Sequence, residues 1–195
     1  YGVLTVPKLG IMTFYESGAL KSCRIQGTIA YQKKSPQKKL NPKIMLTGTN
    51  NNPLEFHENG TLKTAFFPGQ KHEPGMFCVG TSIISVLPQT NMTFYDDGYV
   101  ESYYSFGDEH SFVPKNYATI EKDSVVKFYQ DGKIKEESYD KDYTPKSLGL
   151  TVKHGKPVVY SPEGNIISCV LPDGMVFPMG KNQFSLAKNQ PIELY

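Results

Sequence analysis

Four side chains that can stack on a ligand and hydrogen-bond it, Tyr15, His57, Tyr95 and Tyr129, recur at one place in the chain, each directly after a Phe and three residues before a Gly. Rings presented at a regular interval would form a platform for an extended peptide or a glycan. A second candidate is the basic run Lys33, Lys34, Lys38 and Lys39, whose charge suits phosphates of nucleic acid or an anionic lipid surface. A third is the set His72, Glu73, Asp108, Glu109 and His110, in two Pro/Gly/His loops at the same phase of the repeat. Brought together, these would have metal-ligand chemistry. Polar solvated loops explain the same residues more simply, and neither a metal nor any other cofactor is expected. Asp96, Asp97 and Asp131 could pair as hydrolytic carboxylates, yet acids early in a tight turn are ordinary turn chemistry. There is no G-x-S-x-G elbow, H-E-x-x-H pair, P-loop or G-x-G-x-x-G run, so no catalytic residue is assigned.

The element that must position these side chains is a β-hairpin. Met12-Thr13-Phe14-Tyr15-Glu16-Ser17-Gly18 returns as Leu54 to Gly60, Met92 to Gly98, Val126 to Gly132 and Val158 to Gly164, and a sixth copy begins at Ile192. Apolar and polar residues alternate, as in a strand buried on one face. The turn can be typed, because Pro162 at the first loop position is locked near φ −65° and excludes a turn that needs positive φ there. A type I turn closed by a left-handed glycine fits all copies, so Gly18, Gly60, Gly98, Gly132 and Gly164 are expected at positive φ. Valine at Gly98 or Gly132 should then destabilise, and valine at Gly107, outside the repeat, should matter less. Met12/Phe14, Leu54/Phe56, Met92/Phe94, Val126/Phe128 and Val158/Tyr160 define the core face. The Tyr and His that follow point the other way, either to solvent or against neighbouring turns; packing is the favoured alternative.

Ten residues before each Phe position lies a second recurrence, apolar then hydroxyl then apolar or Gly: Leu4-Thr5-Val6, Leu46-Thr47-Gly48, Ile84-Ser85-Val86, Ala118-Thr119-Ile120, Leu150-Thr151-Val152 and Phe184-Ser185-Leu186. Each unit therefore reads as strand, loop, strand, turn, strand. Units start near residues 4, 46, 84, 118 and 150, with a partial one near 184, and Phe positions fall 42, 38, 34, 32 and 34 residues apart. Such periods mark a repeat array in which each unit completes its core on its neighbour. The expected fold is all-β, one domain over residues 1–195, an open stack of five hairpin units plus part of a sixth. A closed propeller is the rival. The extra strands after the fifth unit favour the open form, with residues 183–195 pairing against that unit.

The remaining composition sets bounds. The 195 residues are 38% hydrophobic and 12% aromatic, with no apolar run near the roughly 20 residues of a bilayer helix. The insertion Ala30 to Pro42 reads as an exposed loop or protruding hairpin. Residues 1–54 carry net +7 and residues 55–195 net −5, so one end of the array is basic. Cys23, Cys78 and Cys169 are too few and scattered for a disulfide scaffold. Cys23 and Cys169 share a slot that other units fill with Ala65, Tyr103 and Glu137, which reads as a small buried or half-buried position. Since the chain opens on Tyr1 rather than Met, an upstream segment is expected to have been removed.

The FYESG-AL, FHENG-TL, FYDDG-YV and FYQDG-KI segments, with the other copies covering nearly the whole chain, resemble the hairpins of bacterial MORN-type variant repeats. The units here are longer and less even than usual MORN-type units. The resemblance implies an interaction scaffold of a bacterial protein, sometimes at membranes, and carries over no catalytic residue. The expected function is thus a non-enzymatic scaffold or binding module, extracytoplasmic (envelope-associated or secreted), with a protein or surface-polymer partner. Anion binding through the basic end, with peripheral contact to anionic membrane preferred to nucleic acid, is the alternative; an enzyme with a site in the Pro/Gly/His loops is a further one.

Overall fold

The computed structural model describes residues 10–31, 44–71, 73–79, 82–107, 119–145, 150–172, 176–179, 182–185 and 191–194. Among them the secondary structure is all β. In chain order the strands are β1 (Met12–Phe14), β2 (Leu20–Cys23), β3 (Ile29–Tyr31), β4 (Ile44–Leu46), β5 (Leu54–Phe56), β6 (Leu62–Phe67), β7 (Gly75–Val79), β8 (Ser82–Val86) and β9 (Thr90–Phe94). They continue as β10 (Val100–Tyr104), β11 (Val125–Phe128), β12 (Ile134–Glu137), β13 (Val158–Tyr160), β14 (Ile166–Val170), β15 (Val176–Met179), β16 (Asn182–Ser185) and β17 (Pro191–Glu193). One antiparallel sheet of eleven strands runs β1-β2-β5-β6-β9-β10-β11-β12-β13-β14-β17, and it does not close on itself. The other six strands form two-stranded ribbons, β3-β4, β7-β8 and β15-β16.

Each main-sheet hairpin turns as its residues require. In the first, the Gly18 N–H donates to the Tyr15 carbonyl at 2.9 Å and the Tyr15 N–H to the Ala19 carbonyl at 2.9 Å, and the same pair of bonds closes the other four hairpins. Gly18, Gly60, Gly98, Gly132 and Gly164 have φ between 81° and 89°. Every main-sheet hairpin also slips register just before its Phe position, as between Thr13 and Phe14, where one extra residue on the second strand, Lys21, bulges and bends that strand. Gly107 corrects one expectation. Its φ is +87°, and a Cβ there would lie 2.5 Å from Lys122 Cβ, so valine is strained at Gly107 as well as in the hairpin turns.

Of the recurring upstream segments, Leu46, Ile84-Ser85-Val86 and Phe184-Ser185 lie in strands as expected, but in ribbons and not in the main sheet. Among the described residues, upstream segments bridge to the far end of their unit's second strand, as Thr47 does to Phe66, Val86 to Ser105 and Ile120 to Tyr139. The ribbons bring Ile44, Leu46 and Phe77 into one cluster with Met92, Phe94 and Phe128. Ala30 and Tyr31 thus belong to a hairpin whose base packs down on the core, with the Tyr31 ring 4.8 Å from that of Phe94 and its hydroxyl donating to the Gly98 carbonyl at 2.6 Å. Residues 32–43, with Lys33, Lys34, Lys38 and Lys39, lie outside the described residues, as does Leu4-Thr5-Val6.

The core face holds at Leu54, Met92, Phe94, Val126, Phe128 and Val158, all buried. The first hairpin departs from it: Met12 is 47% exposed and Phe14 56%. The motif alone does not bury a side chain; a strand on the preceding side and a cover over the face do, and among the described residues β1 is the sheet's edge. At the other end β17 pairs with β14, Ile192 opposite Cys169, as expected for the partial sixth unit, whereas β16 pairs with β15 instead.

Candidate functional site

The aromatic row is used internally. The Tyr15 hydroxyl donates to the Phe56 carbonyl at 2.7 Å, the Tyr95 hydroxyl to the Phe128 carbonyl at 2.7 Å and the Tyr129 hydroxyl to the Tyr160 carbonyl at 2.7 Å. His57 fills the same role with its Nε2, 2.8 Å from the Phe94 carbonyl; a carbonyl only accepts, so Nε2 carries the proton. Each side chain crosses to the next hairpin and caps the carbonyl of the residue at the next Phe position. Two strand spacings separate successive hairpins, about 9.6 Å, which a Tyr leaning along the sheet can span. The fifth hairpin has Ser161 at this place, whose hydroxyl accepts from its own turn at Asn165 N–H, 3.4 Å away.

The turns are tied to one another as well, Asn59, Thr61 and Lys133 reaching forward and Gln130 back. Asn59 Nδ2 and Thr61 Oγ1 donate to the Asp96 carbonyl at 2.8 and 2.7 Å, Gln130 Nε2 to Asp97 Oδ2 at 2.9 Å, and Lys133 Nζ to the Pro162 carbonyl at 2.7 Å. The turn acids close their own loops: Asp97 Oδ1 accepts from the Tyr99 N–H and Asp131 Oδ1 from the Lys133 N–H, both at 3.0 Å. That backbone bond, with Lys133 alongside, holds the Asp131 carboxyl below the usual range. Along the middle of the outer face runs a polar row, with Thr13 on Ser22 at 2.7 Å, Thr93 on Ser102 at 2.7 Å and Lys127 on Glu136 at 2.9 Å. Between the first two hairpins this face opens into a groove of about 130 Å³ lined by Tyr15, Lys21, Ser22, Glu55, Phe56 and Lys63.

The shared cysteine slot faces the core. In register it lies opposite the next hairpin's apolar residue, as Cys23 does Leu54, Tyr103 does Val126 and Glu137 does Val158. Burial pushes the Cys23 and Cys169 thiols up, so both are poor nucleophiles. The backbone of Cys78 lies in β7 and its side chain is outside the described set. Glu137, expected as a filler of that slot, has polar partners there. It is 2% exposed, and its Oε1 accepts from the Tyr139 hydroxyl at 2.7 Å and the Tyr160 hydroxyl at 3.0 Å. The two hydroxyl oxygens also lie within hydrogen-bond distance of each other, so one of the two protons is shared between that contact and Glu137. Glu137 Oε2 is buried without a partner among the described residues. Burial pushes the Glu137 carboxyl above its ordinary value, against the pull of the two tyrosine bonds, and raises both tyrosines beyond theirs. The signal in the sequence was a pair of exceptions: a carboxyl in a core slot, and Tyr160 where most other copies carry Phe.

This polar triad falls where the buried core divides. One hydrophobic cluster runs from Cys23 to Phe128, and a second gathers Tyr139, Val152, Val158, Cys169 and Leu171. Of the residues considered for a metal, Glu73 is exposed, and His72, Asp108, Glu109 and His110 lie outside the described residues. No group of three or more potential metal ligands occurs among the described residues. His154 has a partner that its sequence context did not suggest, Asp142, with Nδ1 2.7 Å from Oδ1. The His154 backbone N–H and ring together hold the Asp142 carboxyl low.

No protein-family model matches the chain, and no match was found among curated proteins or solved structures.

Proposed function

We propose that the chain is a non-enzymatic repeat scaffold, a binding module of the kind formed by MORN-type variant repeats, working on the outside of a bacterial cell and holding a protein or surface polymer. The observation that carries this reading is the fate of the residues with chemistry to offer. Tyr15, His57, Tyr95 and Tyr129 cap carbonyls of the next hairpin, Asp97 and Asp131 close turns, and Cys23 and Cys169 are buried. Side chains committed to fixing hairpins in register build a surface rather than a reaction centre. The surface offered is the outer face, with its hydroxyl-rich row and the groove between the first two hairpins. Lys21 and Lys63 on that groove favour an anionic polymer as a second reading, in which charge supplies most of the affinity.

Incubation with insoluble polysaccharides, followed for both retention in the pellet and release of reducing ends, tests the proposal. Retention without release is expected, and it should weaken in the Lys21→Glu/Lys63→Glu variant. Binding that fades steeply between low and physiological salt selects the anionic reading. Release of reducing ends would overturn the non-enzymatic one.

A further inference from the structure

Among the described residues, the first hairpin has no neighbour on the outer side of its first strand, a side that every other hairpin in the sheet has filled. β5, β9, β11 and β13 each pair antiparallel with the second strand of the hairpin before them. Among the described residues, β1 pairs only with β2. Its apolar side chains are correspondingly bare, Met12 at 47% and Phe14 at 56% exposed, where the equivalent Met92 and Phe94 are at 0%. Among the described residues, the outward backbone groups of this edge have no partner strand. Because these groups alternate sides along a strand, the Tyr15 N–H bond to Ala19 sets those of Thr13 toward β2 and those of Met12 and Phe14 outward. The carbonyls of Phe56, Phe94, Phe128 and Tyr160 receive a side chain from the previous hairpin, and among the described residues the Phe14 carbonyl receives none.

The two ends of the sheet differ in how they are guarded. β17 carries Pro191 and Glu193, residues that discourage another strand from adding. β1 reads Met-Thr-Phe, with neither charge nor proline.

We propose that β1 is a self-association edge, pairing with β1 of a second copy across a two-fold axis perpendicular to the sheet. Strand direction decides between the possible arrangements of two copies. Eleven strands alternate in direction, so β17 runs the same way as β1, and joining the ends head to tail would need a parallel ladder that the main sheet nowhere uses. Two β1 strands related by the two-fold meet antiparallel, with both copies' Met12 and Phe14 on one face. Centred on Thr13, the register sets Met12 opposite Phe14 of the partner and extends the outer row, Ser22 to Thr13, through the partner's Thr13. That internal row already joins hydroxyl to hydroxyl across strands. The pairing satisfies the outward backbone groups and sets Met12 and Phe14 of each copy beside those of the other, which reduces the exposure of both.

The test is sedimentation equilibrium on the whole chain over micromolar concentrations, with variants that touch only the free edge. The parent is expected to approach twice its 21.9 kDa chain mass. Met12→Pro, which removes an outward N–H, and Phe14→Glu, which charges the bare face, should sediment as single chains with the melting temperature of the parent diluted to single chains. A third variant reports the geometry. Thr13 opposite Thr13 is a pair without mutual backbone bonds, at a Cα separation of about 4.5 Å, close enough for a disulfide. Thr13→Cys should therefore oxidise to a covalent dimer under conditions that leave the parent uncrosslinked. A parent that stays at one chain mass overturns the proposal, and so does a dimer that neither edge variant weakens and Thr13→Cys does not trap.

Discussion

Phe94→Ala is expected to destabilise the fold by about 3–5 kcal/mol, and Phe14→Ala by less than about 0.5 kcal/mol, although the two occupy the same place in the same motif. Phe94 is fully buried against Tyr31, and truncating it removes the transfer energy of the ring and leaves a cavity between sheet and ribbon. Phe14 is 56% exposed on an edge strand, so water already reaches the space its ring would leave. Urea denaturation at low protein concentration, where no dimer contributes, checks both. Equal costs would mean that the first hairpin is covered in solution as the third is.

The second large effect is set by pH. The Glu137 carboxyl is raised in the folded state by burial. Below the ordinary glutamate value of about 4.3 the group is neutral folded or unfolded, and its contribution is fully present. As the pH rises from there the unfolded chain ionises first, so stability is lost at up to about 1.4 kcal/mol per pH unit until the folded-state value is reached. Glu137→Gln stays neutral and keeps the oxygen that accepts from Tyr139 and Tyr160. The variant is therefore expected to hold a flatter denaturation midpoint as the pH rises above the ordinary glutamate value, where the parent's falls, and to be the more stable of the two at the upper end. Asp131 and Asp142, whose carboxyls are held low, act in the opposite sense and at the acid end, where lost ionisation weakens the fold. Parent and Glu137→Gln midpoints that fall in parallel would place the titrating group elsewhere.

How far the fold was legible varies by element, and for physical reasons. The turn was legible in detail, because Pro162 and the constant glycine restrict φ locally and need no knowledge of the rest of the molecule. Alternation likewise placed the Phe and Tyr positions on opposite faces. What alternation could not give is where a side chain ends. The Tyr95 hydroxyl reaches the Phe128 carbonyl only because hairpins follow one another at a fixed strand spacing, a property of the assembled sheet. Burial of a Phe position depends on the strand before it, so Phe14 and Phe94 look alike until β1 is known to be an edge. Leu46-Thr47 and Ile84-Ser85-Val86 have the pattern of a short strand, and Leu46 does lie in β4 and Ile84-Ser85-Val86 in β8, though buried rather than half-buried. Nothing local says whether such a strand joins the main sheet or builds a ribbon over it. Of the candidate site residues, the lysines of the basic run fall outside the described set, while Glu137 was visible as an odd member of a slot whose core-facing direction only the register revealed.

The account rests on the claim that the recurring Tyr positions tie one hairpin to the next. Denaturation of Tyr95→Phe, Tyr129→Phe and the double variant measures it most directly, since the rings stay and only the hydroxyls leave. Each single variant is predicted to lose about 1 kcal/mol, the net worth of a hydrogen bond together with the carbonyl it leaves bare, and the double variant roughly the sum. Variants as stable as the parent would contradict the ladder and return those hydroxyls to the surface as groups free to meet a ligand.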